Sequence, residues 1–151
     1  MIKVMLVDDQ NLVRKGVRSL LELSEEIEVV AEAADGAEAI RMVPEVGPDV
    51  VLLDMRMPGQ SGLDVLRELA GQDRLPPTII LTTFDDDELV LAGIQAGARG
   101  YLLKDVALAE LVNEEIIDGP FAQIIRYRGQ RRNTSLGSAT YDFYKICLQD
   151  H

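Results

Sequence analysis

Five short apolar runs, each followed by a stretch with helical spacing, limit what this 151-residue chain can fold into more than any other feature. The runs are Ile2–Val7, Ile27–Ala33, Val50–Leu53, Thr78–Leu81 and Gly100–Leu103. All have strand length and most are rich in branched residues, as strands buried on both faces should be. Between them the period changes to that of a helix. Val13, Val17, Leu20 and Leu21 share one face, with Arg14, Lys15, Arg18 and Glu22 opposite. Ala37, Ile40 and Val43 make a second stripe, and Leu63, Leu66, Leu69 and Ala70 a third. Asp86 to Ala96 and Leu108 to Ile117 read as the fourth and fifth helices. Asp35-Gly36 opens the second helix, Gly47-Pro48 separates it from the third strand, and Pro76-Pro77 stops the third helix. Gly97 and Gly119-Pro120 close the last two. Five β-α units in strict succession predict an α/β fold: an open, doubly wound, five-stranded parallel sheet with five flanking helices. A closed barrel would need eight such units.

Several chemistries are excluded by composition. The lone histidine is His151 and the lone cysteine Cys147, so a zinc centre or a Ser-His or Cys-His pair lacks its essential residue. One cysteine cannot staple a fold, which fits a reducing, cytoplasmic setting. No apolar run approaches the ~20 residues of a membrane span, and the N-terminus lacks signal-peptide features. The net charge is −11, with 10 basic and 21 acidic side chains in residues 1–112 and five of each in 113–151. An acidic body argues against broad contact with a phosphate backbone. The one basic cluster, Arg126, Arg128, Arg131 and Arg132, reads as a solvated segment.

The informative charges lie at the strand ends. In open α/β sheets, ligands bind beyond the carboxyl ends of the strands, where strand order reverses. That rule brings Asp8-Asp9, after strand one, beside Asp54, at the end of strand three. Three converging carboxylates would repel one another and lose hydration together. A hard divalent cation with oxygen ligands answers that need, and Mg2+ suits a few carboxylates while leaving room for waters and a phosphate oxygen. Lys104 ends strand five and Thr82-Thr83 strand four, adding a cation and hydroxyl donors. Acids, metal, lysine and hydroxyl make a phosphoryl site, with Asp54 as a carboxylate nucleophile. Singly, Asp8 or Asp9 reads as a helix cap, Thr82 as a strand terminus and Tyr101 as a buried or interface aromatic. Met55 and Met57 read as packing residues, Pro58-Gly59 as loop-shaping, and Asp85–Glu88 as a helix start.

Taken in order, "VDD", "VVLLDMRMPGQSGLDVL", "IILTTFDDDE" and "GARGYLLKD" resemble a response regulator receiver domain of the NarL/FixJ (LuxR-like) type, over about residues 1–117. The resemblance implies a flavodoxin-like strand order, 2-1-3-4-5. It implies that Asp54 accepts a phosphoryl group from a sensor histidine kinase, and that Asp8, Asp9, Asp54 and the backbone carbonyl of Arg56 serve Mg2+. Lys104 would pair with the phosphate, while Thr82 and Tyr101 would switch the surface of the fourth helix, fifth strand and fifth helix, a candidate homodimer face. Such a domain is a regulator that assists its own phosphorylation and dephosphorylation, and is no enzyme in the usual sense. The resemblance also implies that Arg56 and Phe84 stand at positions that influence access of the hydrolytic water, so that their bulk would slow loss of the phosphoryl group. Lys104 is followed by Asp105, where many receivers carry a proline after a cis peptide.

The division expected is a receiver over 1–118 and an atypical tail over 119–151. The tail has no helix-turn-helix pattern, so DNA contact would need a domain missing from this chain. Two other functions compete. A haloacid-dehalogenase-like phosphatase also uses a strand-end Asp and Mg2+, but wants a second acid where this chain has Arg56. An unphosphorylated interaction scaffold would need none of the chemistry.

Overall fold

The computed structural model describes residues 1–104 except 24, 26 and 83–86, with the backbone alone described at Leu103. The expected fifth helix, the 119–151 tail, Phe84 and the Lys104-Asp105 linkage lie outside the described residues. The elements run β1 (Ile2–Val7), α1 (Asn11–Glu22), β2 (Ile27–Ala33), α2 (Gly36–Val46), β3 (Val50–Asp54), α3 (Gly62–Gly71), β4 (Thr78–Thr82), α4 (Asp87–Gln95) and β5 (Gly100–Leu103). The strands form one sheet in the order β2-β1-β3-β4-β5, every pair parallel. Fold class and strand order are as the sequence and its resemblance imply.

Alternation along the strands divides the interior into two layers. Val4, Leu6, Val50, Leu52, Ile79 and Leu81 face α1, where Val17, Leu20 and Leu21 meet them. Met5, Val7, Val51, Leu53 and Ile80 face the other way, onto Ala39 and Val43 of α2 and Val65, Leu66 and Leu69 of α3. Because β3 is sandwiched between both layers, all five of its residues are buried. Full burial of each Leu or Val contributes ~1.5–3 kcal/mol, so most of the sheet's stability resides in these central strands.

Local chemistry sets the helix ends. Asp35 caps α2 by accepting from the Glu38 N–H at 2.8 Å, and Gly47 closes it in the left-handed region at φ 61°. Ser61 and Asp64 form a reciprocal capping box at the start of α3. That helix stops at Gly71, five residues before Pro76, so the proline pair shapes the entry to β4 instead of ending the helix.

Two predicted stripes hold in part: Val43 of α2 and Leu66 and Leu69 of α3 are buried as expected, but one alanine in each is not. Ala37 is exposed and the inward face of α2 is Gly36, Ala39 and Val43, with Ile40 partly buried. In α3, Ala70 is exposed and Val65 takes its place inside. In both helices the first buried residue is a glycine that the apolar count skipped.

Candidate functional site

Sheet register assembles the site. Val7 pairs with Leu53, so Asp8 and Asp54, each one residue further on, reach the same edge of adjacent strands. Asp54 pairs with Leu81, and Thr82 with Leu103, which sets Thr82 and then Lys104 along the same edge. Asp8, Asp54, Thr82 and Lys104 are all buried, with Asp8 only 2% and Asp54 only 3% exposed. Asp9 is exposed.

Lys104 spans the two buried acids. Its Nζ stands 3.2 Å from Asp8 Oδ2 and 3.2 Å from Asp54 Oδ2. It also donates to Gln10 Oε1 at 3.3 Å. The other carboxylate oxygens are held by backbone: Gln10 N–H donates to Asp8 Oδ1 at 2.9 Å, and Arg56 N–H donates to Asp54 Oδ1 at 3.2 Å. Asp8 Oδ2 is fully buried and makes no hydrogen bond among the described residues, so its contact with Lys104 is ionic only.

Burial pushes the Asp54 carboxyl up to about 7, and the charge of Asp8 pushes in the same direction. Lys104 and the Arg56 N–H oppose both without cancelling them. A carboxylate that holds its proton this tightly is short of positive charge.

One oxygen each from Asp8, Asp9 and Asp54 fall within 4.8 Å of one another. Fully ionised, three acids against one lysine leave two negative charges at one point, and Asp8 Oδ2 adds a buried acceptor with no hydrogen bond. The residues therefore fit a divalent cation with a preference for oxygen, of which Mg2+ is the small, partly hydrated kind. The donors are all carboxylates, with no nitrogen or sulfur ligand in the cluster.

Of the site residues read from the sequence, Asp8, Asp9, Asp54, Thr82 and Lys104 fall at this edge, whereas Tyr101 pairs with Ile80 and lies further back along β5. Tyr101, on β5, is half-buried and packs against both interior layers. Arg56 enters through its N–H, which grips Asp54. The sequence reading missed Gln10 and Arg14. Gln10 directly follows the paired acids, which was the available signal. Arg14 was assigned to the outer face of α1, yet its Nη1 donates to the Asp8 carbonyl at 2.6 Å.

Comparison with known proteins agrees with this geometry. The description "Response regulator receiver domain" matches residues 4–115. The nitrate/nitrite response regulator protein NarP of Escherichia coli is 53% identical over 103 residues, covering 68% of this chain and 48% of NarP. The transcriptional regulatory protein LiaR of Bacillus subtilis is 42% identical over 113 residues, covering 75% of this chain and 54% of LiaR. The solved signal receiver domain of the response regulator NarL from Mycobacterium tuberculosis is 36% identical with a TM-score of 0.67, covering 76% of this chain and 93% of that domain. The chain spans about half the length of the curated relatives it matches. No described helix is long and apolar enough to cross a membrane. Since the matched stretch contains both the sheet and the acid edge it carries, this chain belongs to the response regulator receiver domain family.

Proposed function

We propose that residues 1–118 act as a phosphorylation-controlled switch in a two-component system, with Asp54 as phosphoacceptor. The observation that carries this reading is the placement of Lys104 Nζ at 3.2 Å from the carboxylates of both Asp8 and Asp54. A cation bridging a nucleophilic and a non-nucleophilic acid can leave the first for a phosphoryl oxygen while still held by the second.

In this mechanism an Asp54 oxygen attacks phosphorus. The new P–O bond forms as the P–N bond of a phosphohistidine on a sensor histidine kinase breaks, and its electron pair returns to the imidazole. Lys104 moves from Asp54 to a phosphoryl oxygen and offsets the charge developing there. Asp8, Asp9, Asp54 and the Arg56 carbonyl would hold Mg2+, which supplies charge neutralisation at the phosphoryl oxygens when bound. Thr82, one residue past Leu81 on the neighbouring strand, would then hydrogen-bond the phosphoryl group. Tyr101 touches both interior layers, so a rotation there would alter how β5 meets α4. A face including α4 and β5 is the proposed homodimer surface. The domain assists its own phosphorylation and dephosphorylation, and the bulk of Arg56 favours a slow return.

The relatives are named as transcriptional and response regulators, which supports transcription control by the parent protein. DNA contact would fall to a domain other than residues 4–115. The 119–151 segment is proposed as a separate tail.

The test is intact mass after exposure to acetyl phosphate, with and without Mg2+. The expected gain is about 80 Da, one HPO3 per chain, absent in Asp54→Ala and absent without metal. Turnover of many phosphate esters per chain would show a phosphatase instead. No gain with any donor would leave an interaction scaffold.

A further inference from the structure

Asp9 presents a problem of its own. It belongs to the three-carboxylate cluster, yet it is exposed, and so lacks the surrounding atoms that hold Asp8 and Asp54 in place. Its direction must come from the backbone. The preceding peptide is planar, so whatever fixes the Asp8 carbonyl also fixes the plane from which Asp9 departs. That carbonyl accepts from Arg14 Nη1 at 2.6 Å.

Arg14 is itself braced on three sides. Its Nε donates to Glu32 Oε1 on β2 at 2.9 Å, its Nη2 donates to Asn11 Oδ1, and its side chain is only 13% exposed. Glu32 also pairs with Arg18, which in turn reaches Glu22 Oε1 at 2.8 Å. The guanidinium thus clamps the end of β1 to β2 and to the first turn of α1. Glu32 neutralises it, so the clamp adds no net positive charge beside a site meant for a cation. Its planar, rigid fork holds these acceptors in fixed directions, where a lysine ammonium on a flexible stem would hold them less firmly.

We infer that Arg14 is a positioning residue for the carboxylate site: by gripping the Asp8 carbonyl it aims Asp9 toward a divalent cation. This rests on the reading of that cluster as the Mg2+ site. Arg14 touches none of the reacting atoms.

The experiment is a Mg2+ titration of the full chain by calorimetry, paired with acetyl phosphate labelling across the same Mg2+ range. Compared are the unmodified protein, Arg14→Ala, Arg14→Lys and Arg18→Ala. Loss of an outer partner of a metal ligand typically weakens affinity by roughly 10- to 100-fold. A loss of that size is expected for Arg14→Ala, with labelling restored to the unmodified plateau at saturating Mg2+. Arg14→Lys should fall in between. Arg18→Ala shares Glu32 but leaves the Asp8 carbonyl alone, so its Mg2+ affinity should match the unmodified protein. An unchanged affinity in folded Arg14→Ala overturns the inference, as does an equal loss in Arg18→Ala or a labelling plateau that Mg2+ does not restore. If Arg14→Ala does not fold, an unchanged affinity in Arg14→Lys overturns it. Absence of Mg2+ binding by the unmodified protein would instead defeat the metal reading itself, and this inference with it.

Discussion

Gly62 lies directly against the backbone of Asp54: a Cβ at residue 62 would stand 2.5 Å from the Asp54 carbonyl oxygen and 2.7 Å from Met55 Cα. The Gly62 N–H also donates to the Met55 carbonyl at 3.1 Å. The start of α3 is therefore a stop against which β3 ends. Gly36, at the start of α2, abuts the loop that follows β3, where a Cβ would meet the Gln60 carbonyl oxygen at 2.4 Å. Together they fix the loop between β3 and α3 at its far end and its near end.

Gly62→Ala should accordingly press its Cβ onto backbone atoms of Asp54 and Met55, which cannot yield as the Met55 side chain could. We expect a loss of about 1–3 kcal/mol in urea unfolding, the usual size for overpacking. Acetyl phosphate labelling should slow more than the stability loss explains, because the displaced atoms belong to Asp54 and its neighbour. Labelling at the unmodified rate in the folded variant would contradict this.

Lys104→Met removes the cation between two buried acids. Breaking a buried pair from one side typically costs ~3–5 kcal/mol, since a charge is left without compensation. Urea unfolding at neutral pH, without metal, should show a loss of that order. The loss should shrink on acidification, as Asp54 takes up a proton and the repulsion with Asp8 falls.

The raised Asp54 carboxyl makes a prediction about pH. Its folded value is about 7 against an ordinary 3.8, chiefly through burial. Between those two values the unfolded chain has released the proton while the folded domain keeps it. Stability of the metal-free protein therefore falls as pH rises through that window, and levels off above it. Asp54→Asn lacks this penalty, so its advantage over the unmodified protein should grow from weakly acidic to neutral pH. Urea midpoints at several pH values, in chelator, would check it. A pH-independent difference would rule out Asp54 as the group responsible.

Which alanine of α2 faces inward is open to a simple test. Ala39 is wholly buried and Ala37 exposed. Ala39→Leu should destabilise by about 1–3 kcal/mol through overpacking, whereas Ala37→Leu should stay within about 0.5 kcal/mol of the unmodified protein. Paired chemical denaturation curves show which of the two faces the core.

The sheet was legible because buried parallel strands carry their identity in short, branched, apolar runs, and Val50–Leu53 has no other plausible reading. The acid edge was legible because a charge ending such a run is costly without a partner, so Asp8, Asp54 and Lys104 announced one another. Helix phase was harder to read. An alanine at residue 37 and one at 39 look alike in a hydrophobic count, and the burial of Gly36 comes from its contact with Gln60, which lies 24 positions away in sequence. Arg14 was hidden for a different reason. Its position on α1 is compatible with an outward face, but its length lets the guanidinium turn back to the end of β1, and spacing says nothing about reach.

The crowding of two buried carboxylates around one lysine has a consequence for anyone who tries to harden this domain. A screen for heat tolerance alone, run in chelator, would reward an amide at residue 54, because it would relieve the burial and the repulsion from Asp8 that the resting protein carries there. Its winners would be robust and mute. Signalling readiness and ruggedness pull in opposite directions at this one edge, so any engineering campaign here should select with the cation and a phosphodonor present.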